Sequence, residues 1–158
     1  MGTPQRSWFA TLRQYENVLW AAVLVGMLAW RWPVLKGYYY KYAGVSAPAD
    51  RIEWRTDYRA ALAESARSGR PVLVDFSASW CPPCIAMKHD TWTAADVASR
   101  VNASFIPLMV DVDHDPATSS HFGIEAIPTI LLVDARGEVI RRAGFLPASG
   151  MLRFLDGD

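Results

Sequence analysis

The sequence predicts an α/β domain, a mixed sheet flanked by helices, preceded by an N-terminal transmembrane helix. Three observations carry this reading. Short apolar runs of strand length alternate with helical patterns between Ile52 and Leu155, the order of an α/β sheet. Asp134-Ala135-Arg136-Gly137 is a turn sequence between Thr129–Val133 and Glu138–Arg142, which marks an antiparallel hairpin and makes the sheet mixed. Val18–Trp30 is a run of thirteen residues without a charge.

Residues 1–17 read as a tail carrying Arg6 and Arg13, and residues 18–35 as the anchor. Val18–Trp30 alone would span only about 20 Å as a helix. Extension to Leu35 gives roughly 27 Å, close to the ~30 Å of hydrocarbon in a bilayer. That extension takes in Arg31, which can snorkel, and Pro33, which kinks or ends a helix. Trp30, Trp32 and Tyr38-Tyr39-Tyr40 resemble an aromatic belt at a membrane boundary. A cleaved secretory signal and a buried non-membrane helix are the other two readings of this segment. Residues 36–50 read as a linker, rich in small residues from Tyr42 to Asp50 and interrupted by Pro48.

The domain then occupies residues 51–158. Ile52-Glu53-Trp54 alternates like a short first strand, and Thr56 is placed to cap a helix that stops at Gly69. Val72–Phe76 is apolar enough for a central, fully buried strand. A helix is expected to open at the cysteine motif, and Thr93-Ala94-Ala95-Asp96 reads as a capping box for a second one that buries Val97 and Val101. Phe105–Val112 is a second buried strand, followed by a short helix over Ala117–His121. Beyond the hairpin, Ala148–Leu155 closes the chain as a helix.

Charge excludes one class of function. Formal net charge is zero, yet residues 1–43 hold five basic residues against one acid. The remainder is mildly acidic with scattered basic positions, which is no footprint for nucleic acid.

The only cysteines are Cys81 and Cys84, in Trp80-Cys81-Pro82-Pro83-Cys84. On a helix, cysteines three apart have α-carbons roughly 5 Å apart, within the ~4.4–6.8 Å window of a disulfide. The first would lie near the positive end of the helix, which favours its thiolate. A haem attachment site needs His directly after Cys84, where Ile85 stands, and a structural zinc site normally needs four ligands. His89, His114 and His121 show no paired spacing with the cysteines. Asp75 sits in a strand expected to be buried, where its pKa should rise; the other reading turns it to solvent at the strand end. Met87 and Trp92 read as packing residues.

These segments resemble the thioredoxin superfamily. Val74-Asp75-Phe76-x-Ala78-x-Trp80-Cys81-x-Pro83-Cys84 is similar to its active-site segment, and Gly123-Ile124-Glu125-Ala126-Ile127-Pro128-Thr129 to its cis-proline segment. Gly137 and Gly144 stand where its hairpin glycines stand. The insertion Lys88–Thr93 with the helix after it resembles the C-terminal domain of DsbD-type thiol:disulfide interchange proteins. The resemblance implies a thioredoxin-like fold, Cys81 as an exposed attacking thiolate, Cys84 as the resolving thiol and Asp75 as its proton acceptor. It implies a partner surface of Trp80, Pro83, Ile127 and Pro128, with a cis peptide at Pro128. Met109 stands where thioredoxins carry a lysine facing the buried aspartate.

The function expected is a membrane-anchored oxidoreductase that exchanges disulfides with protein partners and a membrane or soluble redox partner. No organic cofactor or metal is needed, because the cysteine pair carries the two electrons. The alternative is a non-catalytic binding or chaperone module with a static disulfide. Orientation rests on two opposed arguments. Arg31, Lys36 and Lys41 after the span favour a cytoplasmic domain, whereas a short tail before a hydrophobic segment resembles a signal-anchor that exports the domain behind it. The exported, periplasmic placement is the one expected.

Overall fold

A computed structural model describes residues 7–157, with side chains from Tyr15 onward. The first six positions of the expected tail, and Asp158, lie outside the described residues. Helix α1 runs Ser7–Trp30 and α2 runs Trp32–Tyr42. The domain comes next as α3 (Tyr58–Ser68), β1 (Val72–Ser77), α4 (Pro82–Asp90), α5 (Ala95–Ser104), β2 (Ile106–Asp111), α6 (Pro116–His121), β3 (Thr129–Val133), β4 (Val139–Ala143) and α7 (Ala148–Asp156).

The four strands form one sheet in the order β2-β1-β3-β4. β1 pairs parallel with β2 and antiparallel with β3, and β3–β4 is the antiparallel hairpin read from the sequence. Gly137 closes that hairpin with φ +87°, a conformation that favours glycine. Side-chain alternation along β1 sorts the core into two layers. Val72, Val74 and Phe76 join Ile106, Leu108 and Leu131 on the side covered by α3 and α6. Leu73 joins Met87, Trp92, Val101, Met151 and Leu155 on the side of α4, α5 and α7. Asp75 shares the parity of Leu73, so the same alternation turns its carboxylate toward α4 and the segment after it.

Several local expectations need correction. Ile52–Trp54 is not a strand; this segment pairs with the sheet only at Arg55, in a single parallel bridge to Leu108. Asp57, not Thr56, caps α3, accepting from the Ala60 N–H. The capping box at Thr93 does not form, because its hydroxyl donates to the His89 carbonyl at the end of α4. Ala94 is the N-cap of α5 without a side-chain bond.

The largest correction concerns the anchor. The continuous span expected over Val18–Leu35 breaks at Arg31, and α2 is bent 61° from the Tyr15–Trp30 stretch. Pro33 is the cause, since its ring removes an N–H and clashes with the carbonyl four residues back. Among the described residues no single helix is long and apolar enough to cross a membrane; only the bent pair has that length and composition together. Residues 36–42, expected as linker, belong to α2, which packs on α4.

Candidate active site

At the end of β1 the chain turns through Ala78–Trp80 into α4, and the redox pair sits on that junction. Cys81 is the N-cap of α4, with Pro82 and Pro83 beginning the helix. Proline fits at a helix start, where an N–H has no carbonyl to reach. Cys84 is one turn in, bonded to Cys81 with α-carbons 5.3 Å apart. The Cys84 N–H donates to Cys81 Sγ at 3.3 Å, so the free end of the helix dipole points at the first sulfur.

Both cysteines are buried. Cys81 is 2% exposed and Cys84 7%, which corrects the expectation that Cys81 is open to solvent. Helix-start position supplies the dipole but does not determine cover, which comes from distant segments. Ala78, Val112 and Ile127 pack around the pair. Ile127 precedes the cis peptide to Pro128, and Pro128 is itself buried. Pro83 is half-buried. Trp80 is 55% exposed, and its indole N–H donates to Asp113 Oδ2 at 2.7 Å.

Asp75 is 4% exposed, which rules out the solvent-turned reading. Burial pushes its carboxyl up to about 7, while a hydrogen bond from the Trp92 indole works against that rise. Trp92 Nε1 donates to Asp75 Oδ2 at 3.0 Å. Met109, directly across the β1–β2 pair from Asp75, supplies no charge. A cavity of about 180 Å³ joins these groups, lined by Asp75, Cys84, Trp92, Met109, Lys88 and Asp111 among others. Its wall is mainly apolar, but it carries the Asp75 carboxylate and is large enough for water, which offers a proton a route between that carboxylate and the Cys84 sulfur. A larger cavity, about 540 Å³ between Tyr58 and His121, contains neither cysteine.

Trp92 is the site residue that sequence reasoning assigned to packing alone. One signal was available: a buried indole N–H needs an acceptor, and Asp75 is a buried carboxylate in reach of the same layer. Trp92 also stacks edge-on against Trp54 at 5.1 Å, which fixes its plane.

The comparisons with known proteins agree with this geometry. The profile of the family described as "Thioredoxin-like" matches residues 53–135, just over half of the chain. Thioredoxin 2 of Chlorobaculum tepidum is 32% identical over 94 residues, covering 60% of this chain and 84% of that protein. Thioredoxin H4 of Arabidopsis thaliana is 37% identical over 79 residues; the match takes in 50% of this chain and 63% of the plant protein. In three dimensions a thioredoxin from Thermus thermophilus superposes with a TM-score of 0.60 at 26% identity, covering 68% of this chain and 86% of that one. The matches in sequence and in fold have one explanation. The chain belongs to the thioredoxin-like family, as a thiol–disulfide oxidoreductase.

Proposed function

We propose that this protein is a membrane-anchored reductant of protein disulfides, working on the exported side of the membrane. The observation that carries the reading is a Cys81–Cys84 pair at a helix start with Asp75 on the cavity that Cys84 also lines. In the reduced protein the Cys81 thiolate attacks one sulfur of a partner's disulfide. A mixed disulfide forms and the partner's other sulfur leaves as a thiolate. Asp75 takes the Cys84 proton, through water in the cavity, and the Cys84 thiolate attacks Cys81 Sγ. That breaks the mixed disulfide, closes Cys81–Cys84, and leaves the partner reduced by two electrons. A carboxyl pushed up to about 7 is matched to this proton transfer near neutral pH. An upstream dithiol protein must then reopen the pair; no organic cofactor or metal is required.

Trp80, Pro83 and Ile127 form the partner-facing surface in this reading, with the Ile127 backbone pairing to an extended segment of the partner. Pro128, buried, supports that backbone from behind rather than facing the partner. Membrane attachment is supported by α1, where Leu19, Trp20, Leu24 and Leu28 are exposed and have no tertiary cover among the described residues, an arrangement that calls for an apolar surrounding. The α4–α5 insertion favours a relation to the C-terminal domain of DsbD-type proteins. The signal-anchor pattern favours the exported placement, against the basic residues beyond the span.

Cys84→Ala tests the two-step role, because attack survives and resolution is lost. Membranes carrying the variant should accumulate reducible high-mass adducts through Cys81; their absence, with active wild type, overturns the mechanism. An alkaline phosphatase fusion at the C-terminus tests placement, since that enzyme needs an oxidising compartment. A stable but inactive fusion places the site in the cytoplasm.

The burial of Cys81 favours a second reading, a binding module with a static bridge. The reduction potential separates the two. A static bridge lies below about −300 mV, a working exchanger at roughly −120 to −270 mV.

A further inference from the structure

Helix α2 has two unlike faces. On one, Gly37 is buried against the start of the redox helix, and a Cβ there would lie 1.8 Å from the Pro82 carbonyl oxygen. Only glycine permits that approach, and Pro82 is the residue next to Cys81. At the other end of α4, both carboxylate oxygens of Asp90 are held from α2. Lys36 Nζ lies 2.7 Å from Oδ2, and the Tyr40 hydroxyl donates to Oδ1 at 2.9 Å. The Tyr40 ring stacks on His89 with centroids 4.0 Å apart. Helix α2 is thus fastened to α4 at both ends.

The opposite face has no protein partner among the described residues. Trp32, Leu35, Tyr39 and Tyr42 recur at helical spacing there, with Tyr38 beside them, and all are between 42% and 77% exposed. Trp and Tyr are the residue types whose rings favour the headgroup layer of a bilayer. Exposed Arg31 and Lys41 flank the stripe, which complements anionic headgroups. The stripe continues the exposed apolar surface of α1, from which α2 turns by 61°. A helix turned that far from a span runs closer to the membrane plane than to its normal.

We infer that α2 is an interfacial cradle: its aromatic face lies in the headgroup layer and its glycine face holds the redox helix. This rests on the membrane-anchored reading above. The Cys81–Cys84 pair is then carried one helix-to-helix spacing, about 8–10 Å, from a helix lying in the bilayer surface. The partner class this favours is protein disulfides at the membrane surface, on integral or lipid-tethered proteins. A tethered partner gains effective concentration that a freely diffusing one lacks.

The test uses the full chain, oxidised so that Cys81–Cys84 takes no label, in vesicles of phosphatidylcholine and phosphatidylglycerol. Nitroxide labels are placed singly through Leu24→Cys, Tyr39→Cys and Val139→Cys, and their collisions with oxygen and with an aqueous nickel chelate are compared. The inference expects position 24 deep in hydrocarbon, position 39 at headgroup depth and position 139 in water. If 24 is deep but 39 matches 139, the cradle is wrong and the anchor stands. If 24 is in water, the anchor itself fails and the cradle with it. A kinetic arm measures reduction of one disulfide peptide, lipid-tethered or free, by the reduced proteins. Gly37→Leu, which wedges α2 off Pro82, should lower the tethered-to-free rate ratio roughly tenfold. Lys36→Ala with Tyr40→Ala, which frees Asp90 from the exposed edge, should lower it in the same direction. A ratio unchanged in both variants overturns the inference.

Discussion

Helix α1 and strand β1 are both apolar, yet they treat that surface in opposite ways. In β1, Val72, Leu73, Val74 and Phe76 are all fully buried between two helical layers. In α1, the described side chains from Tyr15 to Trp30 are exposed all round. Hydrophobic composition therefore does not by itself make a core; burial needs covering elements on each face. Strand β1 has them because β2, β3 and the helices converge on it. Helix α1 has none within the described residues, so its stability depends on what surrounds it. Helix α2 belongs to both regimes, one face packed and the other bare.

Truncating one leucine in each region gives the largest contrast. Leu73→Ala removes a fully buried side chain from the layer under α4, α5 and α7, and should cost about 2–5 kcal/mol of domain stability. Leu24→Ala removes an exposed one, and should leave unfolding of the domain unchanged within about 0.5 kcal/mol. Urea unfolding followed by circular dichroism of both variants in detergent checks this. Equal losses would mean that α1 shares the core of the domain.

The difference between the regions also governs what could be read from the sequence. Cys81-Pro82-Pro83-Cys84 after an apolar run, and Asp134–Gly137 between two strands, are local devices whose geometry comes from their own residues. The mixed sheet and the helix order were legible for that reason. Contacts across long separations were not. The seat of α2 depends on Gly37 meeting Pro82, 45 residues on, and nothing near Gly37 signals it. Ile127 and Val112 cover Cys81 from other segments, so its position at the helix start reveals its electrostatics and not its burial. Ile52–Trp54 alternates like a strand, but hydrogen bonding to β2 is confined to Arg55, whose N–H and carbonyl bracket Leu108.

The second contrast lies inside the core, between Asp75 and its apolar neighbours on β1. Its carboxyl is pushed from 3.8 up to about 7 by burial. The folded protein therefore binds a proton more tightly than the unfolded chain. This contribution to stability is fully present below about pH 4 and is lost as pH rises to about 7. Asp75→Asn cannot ionise, so its advantage over wild type should be smallest at about pH 4 and grow as pH rises through about 7, by roughly 4 kcal/mol at pH 8. The same variant should slow disulfide exchange through loss of the Cys84 proton acceptor. Denaturant titrations at several pH values would refute the assignment if the two proteins ran parallel.

The smallest expected effect isolates the one polar contact that the buried carboxylate receives among the described residues. Trp92 Nε1–H donates to Asp75 Oδ2, a bond that favours the ionised form and so opposes the rise caused by burial. Trp92→Phe keeps most of the apolar volume against Met87 and Val97 but removes the donor. The Asp75 carboxyl should then titrate higher than in wild type, since burial acts unopposed. The ionised form loses more than the neutral acid, which can rotate its own proton toward water in the cavity. The cost of the substitution should accordingly be greater above pH 7 than at pH 5, reaching about 1–3 kcal/mol for an unsatisfied buried acceptor. Carbon-detected titration of the Asp75 carboxyl reads the shift directly, and alkylation of reduced Cys84 against pH reads its consequence for the sulfur. A purely packing role for Trp92 predicts a loss of stability that is the same at both pH values and leaves the carboxyl titration where it was. The sign of that titration shift, more than its size, decides whether Trp92 tunes the acid beside the redox pair.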